Sequence, residues 1–196
     1  MAGPSGGKEY SRFCDLFNDA ETRIKQVEKL SNEPLIPAIN QLRYAAAHLR
    51  QSFLAATEAK RLDCIKSAEN HCLRAIKDVT EASVDYVVLY VNRLEKEFKY
   101  LPLSETIPNH LQIRTSLRKT WKLTIDHTHE SIETAIPKLK EGMDDALGYL
   151  DIYEAAWPEL NKKAIIQRRK AAWTVLVSIG VPVTLAVIGW IISFFV

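Results

Sequence analysis

The segment Arg43-Tyr44-Ala45-Ala46-Ala47-His48 places an arginine five positions before a histidine, and of all the pairings in this chain it is the one best suited to chemistry. An imidazole takes or gives a proton near neutral pH, and a guanidinium steadies charge gathering on a phosphorane, so together they fit phosphodiester cleavage. The spacing alone has little specificity. With 11 Arg, 5 His and the spacings such a motif tolerates, about 0.8 matches are expected by chance. The plainer reading is a helix face with two polar residues among alanines. Ala45, Ala46 and Ala47 would then form a slim surface that lets another helix come close.

Other combinations fit chemistry less well. His127, His129 and Glu130 form H-x-H-E, but residues two apart on a helix point about 200° apart, so they cannot share a metal as an i, i+4 pair does. They read as surface groups. His71 and Asp78 share a helix face seven residues apart, with no nucleophile evident beside them. After Gly7 the glycines are Gly142, Gly148, Gly180 and Gly189, none in a phosphate-cradling frame, which argues against nucleotide hydrolysis. Neither a metal nor a cofactor is expected. Cys14, Cys64 and Cys72 read as reduced thiols, since residues 1–10 lack the apolar core of a secretory signal.

The strongest signal concerns position rather than catalysis. Every charged side chain of the 196 residues precedes Ala171. Residues 171–196 are free of charge and would make a helix of about 39 Å, enough to cross a hydrocarbon core of about 30 Å. Trp173 and Trp190 stand near its ends, and Lys162, Lys163, Arg168, Arg169 and Lys170 precede it with no acid between 161 and 170. That pattern predicts a single-pass protein with its N-terminal body on the cytoplasmic side, the inner membrane being the site in a bacterium. The expected topology is tail-anchored. Without this collar the body holds 21 basic and 24 acidic residues, a balance that makes nucleic acid an improbable partner. Within the span Thr174, Ser178, Pro182, Ala186, Gly189 and Ser193 recur every third or fourth position, inside about 120° of a regular helix. Small residues let membrane helices approach, so this face predicts homo-oligomers.

The elements that would position these groups are helical throughout. Apolar residues step by three and four from Tyr10 to Leu30, from Ile39 to Phe53 (Ile39, Leu42, Ala46, Leu49, Phe53), from Leu62 to Phe98, and from Leu117 to Trp157. SNEPLIP at 31–37 breaks the first pair, with Asn32 as a cap and Pro37 in a first turn. LPLSETIPNH at 101–110 is the main loop, and Pro137 and Gly142 are expected to divide or kink the last run. No strand is expected. The prediction is all-α: a flexible start over 1–8, an elongated bundle of long antiparallel helices over 9–160, a basic segment over 161–170 and a membrane helix over 171–196. Pro158 would mark a bend, after which helix continues into the span. The heptad-like seams would also suit a helical protein partner or trigger.

The R-x4-H spacing of Arg43 and His48 resembles the signature of HEPN-type ribonucleases, helical domains that pair so that Arg and His of two protomers flank one RNA phosphodiester. Tyr44 departs from that pattern, in which a polar residue usually follows the Arg. The plan as a whole, a short all-α chain with R-x4-H and a membrane segment, is similar to small CRISPR-associated membrane proteins with a degenerate HEPN motif. Those oligomerise into pores and help restrict phage. The resemblance implies permeabilisation of a membrane by an oligomer, with lipid as the medium. Tyr44 puts RNA cleavage by Arg43 and His48 in second place, and a passive coiled-coil tether is the third reading.

Overall fold

A computed structural model describes residues 6–125 and 132–195. Among them the chain is helical with no strand: α1 (Gly6–Ser31), α2 (Ile36–Phe53), α3 (Glu58–Glu97), a 3-10 turn (Leu103–Glu105), α4 (His110–Ile125), α5 (Ile132–Val175), a π turn (Leu176–Gly180) and α6 (Val181–Phe195). Consecutive helices of the body are antiparallel, so α1, α3 and α5 run the same way. Arg12 of α1 meets Glu69 of α3 and Glu133 of α5, and Arg23 further along α1 meets Asp144 further along α5.

At 40 and 44 residues, α3 and α5 are rods of about 60 and 66 Å, and the shorter helices divide that length. In the distal half α1 and α2 lie against α3 and the start of α5. Small side chains Ala20, Ala38, Ala45, Ala68, Ala75 and Ala135 are packed there among Ile24, Val27, Leu73, Ile76, Val79, Leu139 and Met143. In the half nearer α6 the core is Val84, Val87, Val91 and Leu94 of α3 with Phe98 just past its end, Ile113 and Leu117 of α4, and Leu150, Tyr153 and Leu160 of α5. The 101–110 loop is part of this core, since Leu103 and Ile107 are buried.

Local chemistry sets the helix ends. Asn32 adopts φ 55° and donates its N–H to the Glu28 carbonyl at 2.9 Å, so it closes α1 rather than capping α2. Leu35 stands at the start of α2, with Pro37 in the first turn. The hydroxyl of Thr57 accepts from the Lys60 N–H and opens α3.

Two expectations about packing are corrected. Ile39, Leu42 and Leu49 of α2 pack on the core as expected, but its fully buried residues are Ala38, Ala45 and Ser52, and Ala46 and Phe53 are exposed. Small side chains win that face because they let α2 lie close on α3. Nor do Pro137 and Gly142 divide the last run: α5 contains Pro137, Gly142 and Pro158 without interruption. Pro137 lies in the second described turn, where its missing N–H deprives only the Glu133 carbonyl. Gly142 serves a close approach instead, because a Cβ there would lie 2.6 Å from Thr120 Cγ2 on α4.

Candidate membrane-spanning site

The helix that completes the core of the body is the same helix that leaves it. Tyr153 and Leu160 are fully buried, Ala164 still packs on the core, and from Ala171 onward every described side chain is exposed. The most apolar 18-residue window of this rod has mean hydropathy 2.1 and none of it is buried. Trp173, Leu176, Ile179, Leu185 and Trp190 are each more than 60 % exposed. A core helix of a water-soluble protein would be covered by its neighbours. This one is long and apolar enough to cross a bilayer, and it fits a single-pass membrane protein.

The π turn reshapes the small-residue face. Pro182 has no N–H to give the Ser178 carbonyl, and the chain widens over Leu176–Gly180 just before it. The hydroxyls of Thr174 and Ser178 donate to the Lys170 and Thr174 carbonyls, one turn back in each case. A π turn takes up one extra residue, so everything beyond it lags by about 100° relative to a regular helix. Residues every fourth position on a regular helix advance about 40° per step, and the lag cancels most of that drift. Positions 174, 182, 186, 189 and 193 then fall within about 60°, half the sector expected of an unbroken helix.

The collar is helical, and its five cations differ in availability. Lys163 is half-buried, with Nζ 2.8 Å from Thr106 Oγ1 and 2.9 Å from Glu159, so it fastens the 101–110 loop to α5. The neighbouring Gln167 donates Nε2 to the Tyr100 carbonyl at 3.1 Å. Lys162, Arg168, Arg169 and Lys170 are exposed and form no ion pair among the described residues.

No family model, curated protein or solved structure matches this chain.

Arg43 and His48 do not converge. Both lie on α2, about 140° apart around its axis. Arg43 is exposed, and His48 stacks on His71 of α3 with ring centroids 5.2 Å apart. The Tyr44 ring lies tilted beside the same imidazole, centroids 5.5 Å apart, and Gln41 Oε1 meets His71 Nδ1 at 2.8 Å. His71 therefore pairs with Gln41 rather than Asp78. Burial, then the nearby charges of Arg74 and His48, hold its imidazole below the usual histidine range. This is a packed seam between α2 and α3, with His48 in the seam and Arg43 outside it. His127, His129 and Glu130 lie outside the described residues.

A polar network in the proximal core escaped sequence reasoning. His110, the first residue of α4, is buried; its Nδ1 lies 2.8 Å from Tyr153 Oη and its Nε2 3.5 Å from Glu95 Oε1. Arg114 approaches the other oxygen of Glu95 at 3.3 Å. Burial, with the Glu95 charge adding to it, pushes the Tyr153 hydroxyl up to about 12. Three helices thus meet around one hydrogen bond and a carboxylate flanked by His110 and Arg114 instead of around methyl groups alone. The only sequence signal is Asn109, whose φ of 57° turns the chain into α4 at that residue.

Proposed function

We propose that this chain is a membrane effector, anchored by its C-terminal helix with its body in the cytoplasm, which assembles through the face bearing Thr174, Pro182, Ala186, Gly189 and Ser193 and permeabilises the bilayer. One observation carries the reading: the small residues are gathered within about 60° of a span that continues, without a break, a helix of the bundle core. A passive anchor needs neither feature. Continuity through α5 gives a change in bundle packing a mechanical route into the membrane. The similarity in plan to CRISPR-associated pore proteins suggests phage restriction as the setting.

Cleavage of RNA by Arg43 and His48 gains nothing from their placement, because His48 is engaged in a ring stack and Arg43 points elsewhere. The deciding experiment exchanges residues 171–195 for an unrelated membrane helix of equal length. Loss of membrane depolarisation with unchanged membrane insertion is the expected result. Retained depolarisation, or a purified protein that stays monomeric in liposomes and releases no trapped dye, would sink the proposal. Ala186→Leu with Gly189→Leu should weaken assembly in the same assay.

A further inference from the structure

Where α5 leaves the body, a cleft of about 540 Å³ opens between the end of α3 and the last turns before the span. Its size is that of a small-molecule site. The wall is apolar, made by Phe98, Leu101, Ala164 and Ala171, and the cations Lys99 and Arg168 stand among the lining residues. Glu97 is the one carboxylate there. Three contacts shape the cleft. Gln167 pins the Tyr100 carbonyl, Phe98 is buried edge-on against Trp157 with centroids 5.1 Å apart, and the Lys99 ammonium lies 4.7 Å from the Tyr100 ring centroid.

The depth of this cleft limits its occupant. Ala171 is both part of its wall and the first residue of the charge-free stretch, so the cleft opens at the level of lipid headgroups when α6 is in a bilayer. A molecule that belongs at that level, carries negative charge toward two cations and presents hydrocarbon to an apolar wall is an anionic phospholipid. We infer that the Phe98–Ala171 cleft binds one anionic phospholipid, its phosphate held by Lys99 and Arg168 and the start of an acyl chain laid along Ala164 and Ala171. The bound lipid lies between the chain that leaves α3 at residues 97–101 and α5, the two parts that Gln167 joins, and so ties the lipid surface to the packing of the body. This rests on the reading that α6 spans a membrane.

The test uses the full chain reconstituted in phosphatidylcholine vesicles with a minor fraction of phosphatidylglycerol. Vesicle flotation after alkaline extraction reports insertion, and native mass spectrometry of the released protein reports retained lipid. Lys99→Gln with Arg168→Gln is compared with Arg169→Gln with Lys170→Gln, which removes the same charge from other sides of the helix. Ala164→Phe fills the cleft and leaves the charge alone, with circular dichroism verifying its fold. The expected result is one phosphatidylglycerol retained by the parent, about tenfold weaker retention in the first pair than in the second, and loss in Ala164→Phe. Equal losses in the two charge pairs, or full retention in Ala164→Phe, would show a diffuse basic collar and overturn the site. So would a cleft covered by a second copy, seen as a dimer lost in Ala164→Phe with lipid retention unchanged. Failure to float would instead remove the spanning reading, and this site with it.

Discussion

Gly142→Ala and Gly148→Ala make the same chemical change on the same helix and should move stability in opposite directions. Either substitution relieves the entropy that glycine costs within a helix, a gain of about 1 kcal/mol. At Gly148 the added methyl has no atom within 4 Å, so that gain stands alone. At Gly142 the methyl arrives 2.6 Å from Thr120 Cγ2, where ordinary contact begins at 3.4 Å. Thr120 is buried and β-branched, so it yields little without moving α4. Overpacking of this kind costs about 1–3 kcal/mol. Because the helix gain cancels in the comparison, the two variants should differ by about that amount. Thr120→Ser removes the clashing methyl at a cost of under ~1 kcal/mol and should restore most of the loss when combined with Gly142→Ala. The assay is urea unfolding of the full chain in detergent micelles, followed by far-ultraviolet circular dichroism. Equal stability of the two alanine variants would refute the close approach of α4 and α5 at this point. So would a Gly142→Ala, Thr120→Ser pair that is additive within about 0.5 kcal/mol.

Three other outcomes follow from side-chain environments. Cys14 is exposed whereas Cys72 is buried with its thiol pushed up to about 12 by burial and by Glu69, so iodoacetamide at pH 8 should modify Cys14 and spare Cys72 in the folded protein; comparable labelling by mass spectrometry would contradict that burial. The same thiol makes folding sensitive to alkali: between pH 9 and 12 the unfolded chain gives up a proton that the folded one keeps, so stability should fall by about 1.4 kcal/mol per pH unit on its account. Urea unfolding from pH 8.5 to 10.5 should show a shallower slope in Cys72→Ala, and an identical slope would discount the shift. Tyr153→Phe keeps the ring but leaves His110 Nδ1 without its partner, and should cost about 1–3 kcal/mol; a neutral result in thermal unfolding would mean that the His110 contact contributes no stability.

The steps of three and four were enough to read an all-helical body and its elongated form, because long apolar residues such as Ile24, Val79, Leu94 and Leu150 are both hydrophobic and buried. On α2 the same rule found Ile39, Leu42 and Leu49, which pack on the core, but missed the fully buried Ala38, Ala45 and Ser52, whose low hydropathy conceals that smallness itself makes the interface. Gly142 carried the opposite ambiguity, since a glycine that permits close packing looks in a sequence like one that breaks a helix. The long, exposed apolar helix was legible from charge and length, and Pro182 marked a disturbance, but the direction of its effect was not. Only the π turn shows that the proline gathers the small-residue face. His110, Glu95 and Tyr153 come from three helices and as much as 58 positions apart, so no local pattern could have joined them.

The alignment of α2 with the start of α5 also fixes a height. Leu42 packs in the same layer as Ile136 and Leu139, and from there the rod climbs more than thirty residues to Ala171, about 50 Å. On the proposed reading that α6 spans a bilayer, that is about six screening lengths at physiological ionic strength, too far for the charge of a lipid surface to be felt at the α2 face. Whatever touches Arg43 and the exposed alanines beside it does so out in the solvent, as though at the top of a mast. On that reading its effect reaches the bilayer only by moving the rods themselves.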